Sequence, residues 1–145
     1  MKPSDAAVLL AKISAFDRRT IGEADAEAWA EALGDVSLPD ALDAVTVHYR
    51  AQNRWIMPAD VLTACRLTQF NRLLAAGTPP IPGDLTRQQE RVWRRRWCEL
   101  VKAGESAEAA AIAASGEMAL PEELPAADRS AALHQLIQGS KGVTR

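Results

Sequence analysis

The chain has 145 residues, 48% hydrophobic, 25% charged and 5% aromatic, with a net charge of −2. That length holds one compact core plus an extension, and an Ala- and Leu-rich, aromatic-poor composition favours helix over sheet. No run approaches the roughly 18 apolar residues of a membrane span, Asp5 stands where a secretory leader would be apolar, and Cys65 and Cys98 show no CxxC spacing. The expectation is a cytoplasmic protein with free, largely buried thiols, and without a membrane span, disulfide framework, metal site or cofactor.

Taken in order, Ser4 is placed to cap a first helix over about residues 5–16, with Val8, Leu9, Ile13 and Phe16 recurring at helical spacing. A second helix from about 24 to 33 puts Ala26, Trp29, Ala30 and Leu33 on one face, Trp29 as its core anchor, and ends at Gly34. Ser37 opens a third, with Pro39 in the first turn, Asp40 in capping-box position, and Leu38, Ala41, Leu42, Val45 and Tyr49 as its buried stripe. After the short connection Asn53–Met57, Pro58 suits the first position of a fourth helix that reaches Ala76 before Gly77. On that helix Val61, Leu62 and Cys65 point one way, while Leu67, Phe70, Leu73 and Leu74 centre roughly 140° further round. The first half is expected to join the N-terminal core and the second to face the C-terminal segment or a partner.

The stretch from Thr78 to Gly83 holds three prolines and cannot continue a helix. Beyond it, Asp84 or Thr86 is placed to cap a helix over 86–103. Val92, Trp93, Trp97, Leu100 and Val101 lie on one face of it, Arg87, Arg91, Arg94, Arg95 and Lys102 lie opposite, and Arg96 flanks the tryptophans. Residues 78–104 are the basic part of the chain, with 6 basic and 3 acidic groups. A shorter Ala-rich helix, Ser106 to about Ser115, requires packing to persist. The reading is all-α: a helical domain over 1–77, a Pro-rich linker at 78–85, a basic helix plus a short helix over 86–116, and an acidic, partly disordered tail over 117–145 with a helix at about 128–138.

The pattern carries no catalytic apparatus. There is no phosphate-cradling glycine loop. His48 and His134 lack a Cys or carboxylate at ligand spacing, His48 being placed at the edge of the third helix's buried face. Glu23, Asp25, Glu27 and Glu31 are read as a solvated face near a helix N-terminus.

Residues 6–66 nevertheless carry a recognisable pattern: an amphipathic helix ending in Phe16, then Trp29, Leu33 and Asp35, then Ala41, Ala44, Val45, His48 and Tyr49, then Trp55 with Pro58, Ala59 and Asp60. In this it resembles the N-terminal domain of the phage replicative-helicase loader and inhibitor family and similar actinobacterial and actinophage proteins. It differs in reading Phe16-Asp17 where the family commonly has Tyr-Pro. The resemblance implies a non-enzymatic replication protein that binds a hexameric replicative helicase and an origin-binding initiator and holds the helicase until delivery to DNA.

Two other readings compete. The basic helix is placed either to contact the helicase or initiator or to track a phosphate backbone, including that of single-stranded DNA, with Trp93 or Trp97 stacking on bases if exposed; against both stands burial of the two tryptophans and a merely solvated basic face. A helix-turn-helix regulator fits less well, because Asp60 opens the fourth helix where a recognition helix presents donors to bases.

Overall fold

A computed structural model of the chain describes residues 1–119, with side chains through 117. The acidic segment after 119 and the helix expected near 128–138 lie outside the described residues. All regular structure among the described residues is α-helical: α1 (Pro3–Asp17), α2 (Glu23–Leu33), α3 (Leu38–Ala51), α4 (Pro58–Ala76), α5 (Arg87–Ala103) and α6 (Ala107–Ala119). None of these is long and apolar enough to cross a membrane. The chain divides into two units, Met1–Thr68 and Gln69–Arg145.

In the first unit, α1 packs against both α2 and α3. Its buried stripe is Ala6, Leu9, Leu10 and Ile13, the i, i+3, i+4, i+7 pattern of a core-facing helix. Val8 and Phe16, expected in that stripe, are each 52% exposed: Val8 falls about 100° from Leu9, and Phe16 lies at the rim with its ring stacked on Tyr49, 4.9 Å between centroids. The core is completed by Ala26, Trp29, Ala30 and Leu33 of α2, Ala41, Ala44 and Val45 of α3, and Val61 and Cys65 of α4. Lys12 ties α1 to α3, its Nζ donating to Leu42 O at 2.7 Å and Thr46 Oγ1 at 2.6 Å.

Local signals set the helix ends. Ser37 Oγ accepts the Asp40 N–H at 3.3 Å, as its capping position requires. Gly34 and Gly77 close α2 and α4 at positive φ, conformations that cost a side-chain-bearing residue more. The helix α1 begins earlier than expected, at Pro3 rather than after a Ser4 cap, because proline is preorganised for the first helical position. A carboxylate reaching back to the N–H ahead of the helix recurs: Asp5 to Lys2 N at 3.2 Å, Asp25 to Gly22 N at 2.8 Å and Asp60 to Met57 N at 2.9 Å. Each satisfies an orphan donor and places negative charge at the positive end of the helix dipole.

The second unit is built on Trp93, Trp97 and Val101 of α5 against Ala110 and Ala114 of α6, with Leu73, Ala76, Ile81 and Leu85 packed around them. The division between units therefore falls inside α4, ahead of the Pro-rich segment where the sequence places the domain edge, because Leu73 and Ala76 already belong to the second core and Ile81 and Leu85 make part of the linker a packed element. Of the four residues expected to face this way on α4, only Leu73 is packed here; Leu67, Phe70 and Leu74 are 59%, 56% and 64% exposed. Val92 likewise leaves the apolar face of α5 and is 44% exposed. Thr86 rather than Asp84 caps α5, in a reciprocal box with Gln89. The helix α6 continues through Gly116 to Ala119, so residues 117–119 are helix and not tail. Its small side chains let it sit closely on the two indoles.

Candidate functional site

Two features of the described residues have the makings of a binding site, one in each unit. The first is the connection from Arg54 to Met57, where consecutive residues take different tasks. Arg54 forms a two-pronged ion pair with Asp60, at 2.9 and 2.6 Å. Ile56 is 1% exposed and plugs the core. Trp55 stands 59% exposed with its ring 4.9 Å from the Arg19 guanidinium, which also lies 5.9 Å from the ring of Trp29. A guanidinium held this way gains cation–π attraction while its nitrogens stay free to hydrogen-bond.

Those nitrogens are used. Arg19 donates to the Asp17 carboxylate from Nε at 2.9 Å and from Nη2, and Nη2 also donates to Ile56 O at 3.1 Å. The Tyr49 hydroxyl donates to the same carboxylate and accepts the Ile56 N–H at 3.4 Å. Asp17 and Arg19 side chains are only 6% and 11% exposed. Burial pushes the Asp17 carboxyl pKa up, but hydrogen bonds from Arg19 and Tyr49 outweigh it and the net direction is down. Tyr49 is raised, by burial and then by donating to Asp17. The Asp17 bond raises Arg19 against the opposing effect of burial. This hub fastens the α1–α2 loop to the α3–α4 connection.

Above the hub lies a cleft of about 470 Å³ lined by Arg19, Thr20, Ile21, Asp25, Trp29, Trp55 and Met57, with Leu10 at its base. Its Asp25 carboxylate is engaged with Gly22 N. His48, 9% exposed, donates from Nε2 to Arg54 O at 2.9 Å and so belongs to the scaffold. Asp60 is held down to about 2 by hydrogen bonds from Arg54 and the Met57 N–H. A depressed carboxylate stabilises the fold fully above its ordinary value of 3.8 and loses that contribution as pH falls through the folded value. An Asp60→Asn variant is therefore expected to show a thermal midpoint that falls less steeply than the wild type's as pH is lowered from about 4 to about 2; parallel curves from a pH series of melts would count against this linkage.

The second feature is the basic face of α5. Trp93 and Trp97, candidates for base stacking, are each 1% exposed. Their indole N–H groups are spent on Ser115 Oγ and Ala107 O, both at 3.0 Å. They are core, which removes the stacking role. Arg94 pairs with Glu90 at 2.8 Å, and Arg96 with Glu117 at 2.6 Å and Glu99 at 3.5 Å. Arg87, Arg91, Arg95 and Lys102 are exposed and enter no ion pair among the described residues.

Of the other residues singled out in the sequence, Trp29, Leu33 and Val45 are core, Tyr49 is half-buried in the hub, Pro58 opens α4, and Phe16 and Trp55 are rim residues rather than core. Helical periodicity alone does not reveal the hub. Its signals were the Asp-Arg-Arg run at 17–19 and a tyrosine on a buried stripe, whose hydroxyl requires a partner. No group of three or more metal-ligating side chains comes together among the described residues. Comparison of the chain with protein-family models, with curated proteins and with solved structures finds no match.

Proposed function

We propose that this chain is a non-catalytic DNA-replication protein of phage type that acts in the cytoplasm, binding a hexameric replicative helicase, and an initiator with it, to regulate helicase loading. One observation carries the reading: the stretch that resembles the helicase-loader family, residues 6–66, coincides with a unit that closes its own core, from Ala6 to Cys65. Within that unit the matched positions serve the same end. Trp29, Leu33 and Val45 build the core, while Tyr49, Trp55 and Pro58 shape the connection that presents the cleft. A loader requires a folded surface for one partner and a second element for another, so that linked binding raises effective concentration at the origin. Separate cores in the two units suit that division of labour.

The test is direct. Light scattering of the full chain mixed with the replicative helicase of the organism that encodes it is expected to show a complex, and the helicase's ATP hydrolysis is expected to change on addition. Absence of both removes this reading. A substitution in the cleft, Trp55→Ala, exposed enough to leave the fold in place, is expected to weaken the complex.

A further inference from the structure

The cations of α5 are not equivalent. At about 100° per residue, positions 87, 91, 94, 95, 98 and 102 share one sector of roughly 100°, and no carboxylate falls within it. Of the helix's two acidic residues, Glu90 flanks one edge and is engaged by Arg94, while Glu99 lies beyond the other edge and is engaged by Arg96. These pairings leave Arg87, Arg91, Arg95 and Lys102 as an unneutralised row. It spans roughly 22 Å, with the three arginines about 6 Å apart along the axis. Arg72 ties α4 to the end of this helix, its Nη1 donating to Lys102 O at 2.8 Å. On a chain of net charge −2, this is a local field and not a general basicity.

We propose that this row is a docking surface for the phosphate backbone of double-stranded nucleic acid, bound without regard to sequence. Charge complementarity identifies the occupant. Duplex DNA presents one negative charge per about 1.7 Å of axis, a uniform array suited to a row of guanidinium forks on one side of a helix that engage phosphate oxygens in pairs. An anionic membrane is disfavoured, because an interfacial helix must bury its apolar face in lipid and here Trp93, Trp97 and Val101 are already covered within the unit. A single strand is disfavoured because the stacking platforms such sites use are absent from the row: both tryptophans are buried with their N–H groups satisfied. This surface lies in the second unit and does not rest on the helicase reading, which concerns the first.

The experiment is fluorescence anisotropy of a labelled short duplex of mixed sequence with the full chain, over a salt series. With four cations engaged, log affinity is expected to fall against log salt with a slope near −3.6 (roughly −0.9 per phosphate). Arg87→Ala, Arg91→Ala and Arg95→Ala combined are expected to reduce the slope to about −1 and weaken low-salt binding more than tenfold. Alanine favours helix, so circular dichroism should show the helices retained. The control, Arg50→Ala with Arg66→Ala, removes exposed cations of the first unit and is expected to leave the slope unchanged. No binding at low salt, a slope indifferent to the triple variant, tighter binding of the single strand, or equal competition by polyglutamate or by phosphatidylserine vesicles would each overturn the proposal. The triple variant is expected still to bind the helicase; in the wild-type chain, absence of a helicase complex alongside intact duplex binding overturns the helicase reading alone.

Discussion

Trp97→Ala is expected to destabilise the second unit by about 3–5 kcal/mol, the range for deleting a buried aromatic side chain. Trp97 is 1% exposed, and its loss would open a cavity between α5 and α6 and leave Ala107 O without its indole donor. Beyond Trp97, α6 is held by packing on Trp93 and Val101, the Trp93–Ser115 hydrogen bond and the Arg96–Glu117 pair. Its sequence is Ala-rich, so each side chain contributes little buried area, and a helix of this length is marginal alone in water. The expected result is a lowered urea midpoint in the unfolding transition, accompanied by loss of helical ellipticity and early proteolytic cleavage within 107–117. A loss under about 1 kcal/mol would mean that the alanine face of α6 is held by something other than the indoles. Because Arg87, Arg91 and Arg95 are carried on the same helix, this variant is also expected to weaken duplex binding more at elevated temperature than in the cold.

Asp17→Ala is the second large effect. It removes the acceptor shared by Arg19 and Tyr49 and leaves a guanidinium that is 11% exposed without its counter-charge. Breaking a desolvated pair from one side typically costs about 3–5 kcal/mol. Here Ile56 O and the two indole faces still hold Arg19, so about 2–3 kcal/mol is expected. Asp17→Ala combined with Arg19→Met should cost less than the two single changes added together, since the second removes the stranded charge. A double-mutant cycle on urea-unfolding free energies measures the coupling, expected at about 1–2 kcal/mol; strict additivity would show that the loop is held by the aromatics alone. Because the Asp17 carboxyl is depressed, its contribution is present above the ordinary carboxylate range and fades as pH falls through the folded value.

Both effects depend in part on contacts that are distant in the chain, Trp97 with Ala107 and Tyr49 with Asp17, and this separates what was legible from what was not. The connection Arg54–Met57 reads in sequence as a short apolar linker. Its actual roles, an ion pair, an exposed indole, a core plug and a helix cap, follow from which neighbours each side chain meets. Phe16 has the spacing of a core residue and the position of a rim residue. The hydrophobic period of a helix gives the direction of its stripe, but the width of the stripe that becomes covered depends on how many neighbours pack there.

The sequence by itself determined that the chain is helical and where most of the helices break: Ser37 and Pro58 start two of them, Gly34 and Gly77 stop two, and Trp29 anchors the first core. These are interactions among residues within about four positions of one another, so the local sequence contains both partners. Only the tertiary structure decided that Trp93 and Trp97 are core, that Arg96 also reaches Glu117 on α6, and that Asp17, Arg19, Tyr49 and Ile56 form one hub. Burial and ion pairing depend on which distant surface arrives at a given face, and helical periodicity fixes the face without naming the arrival.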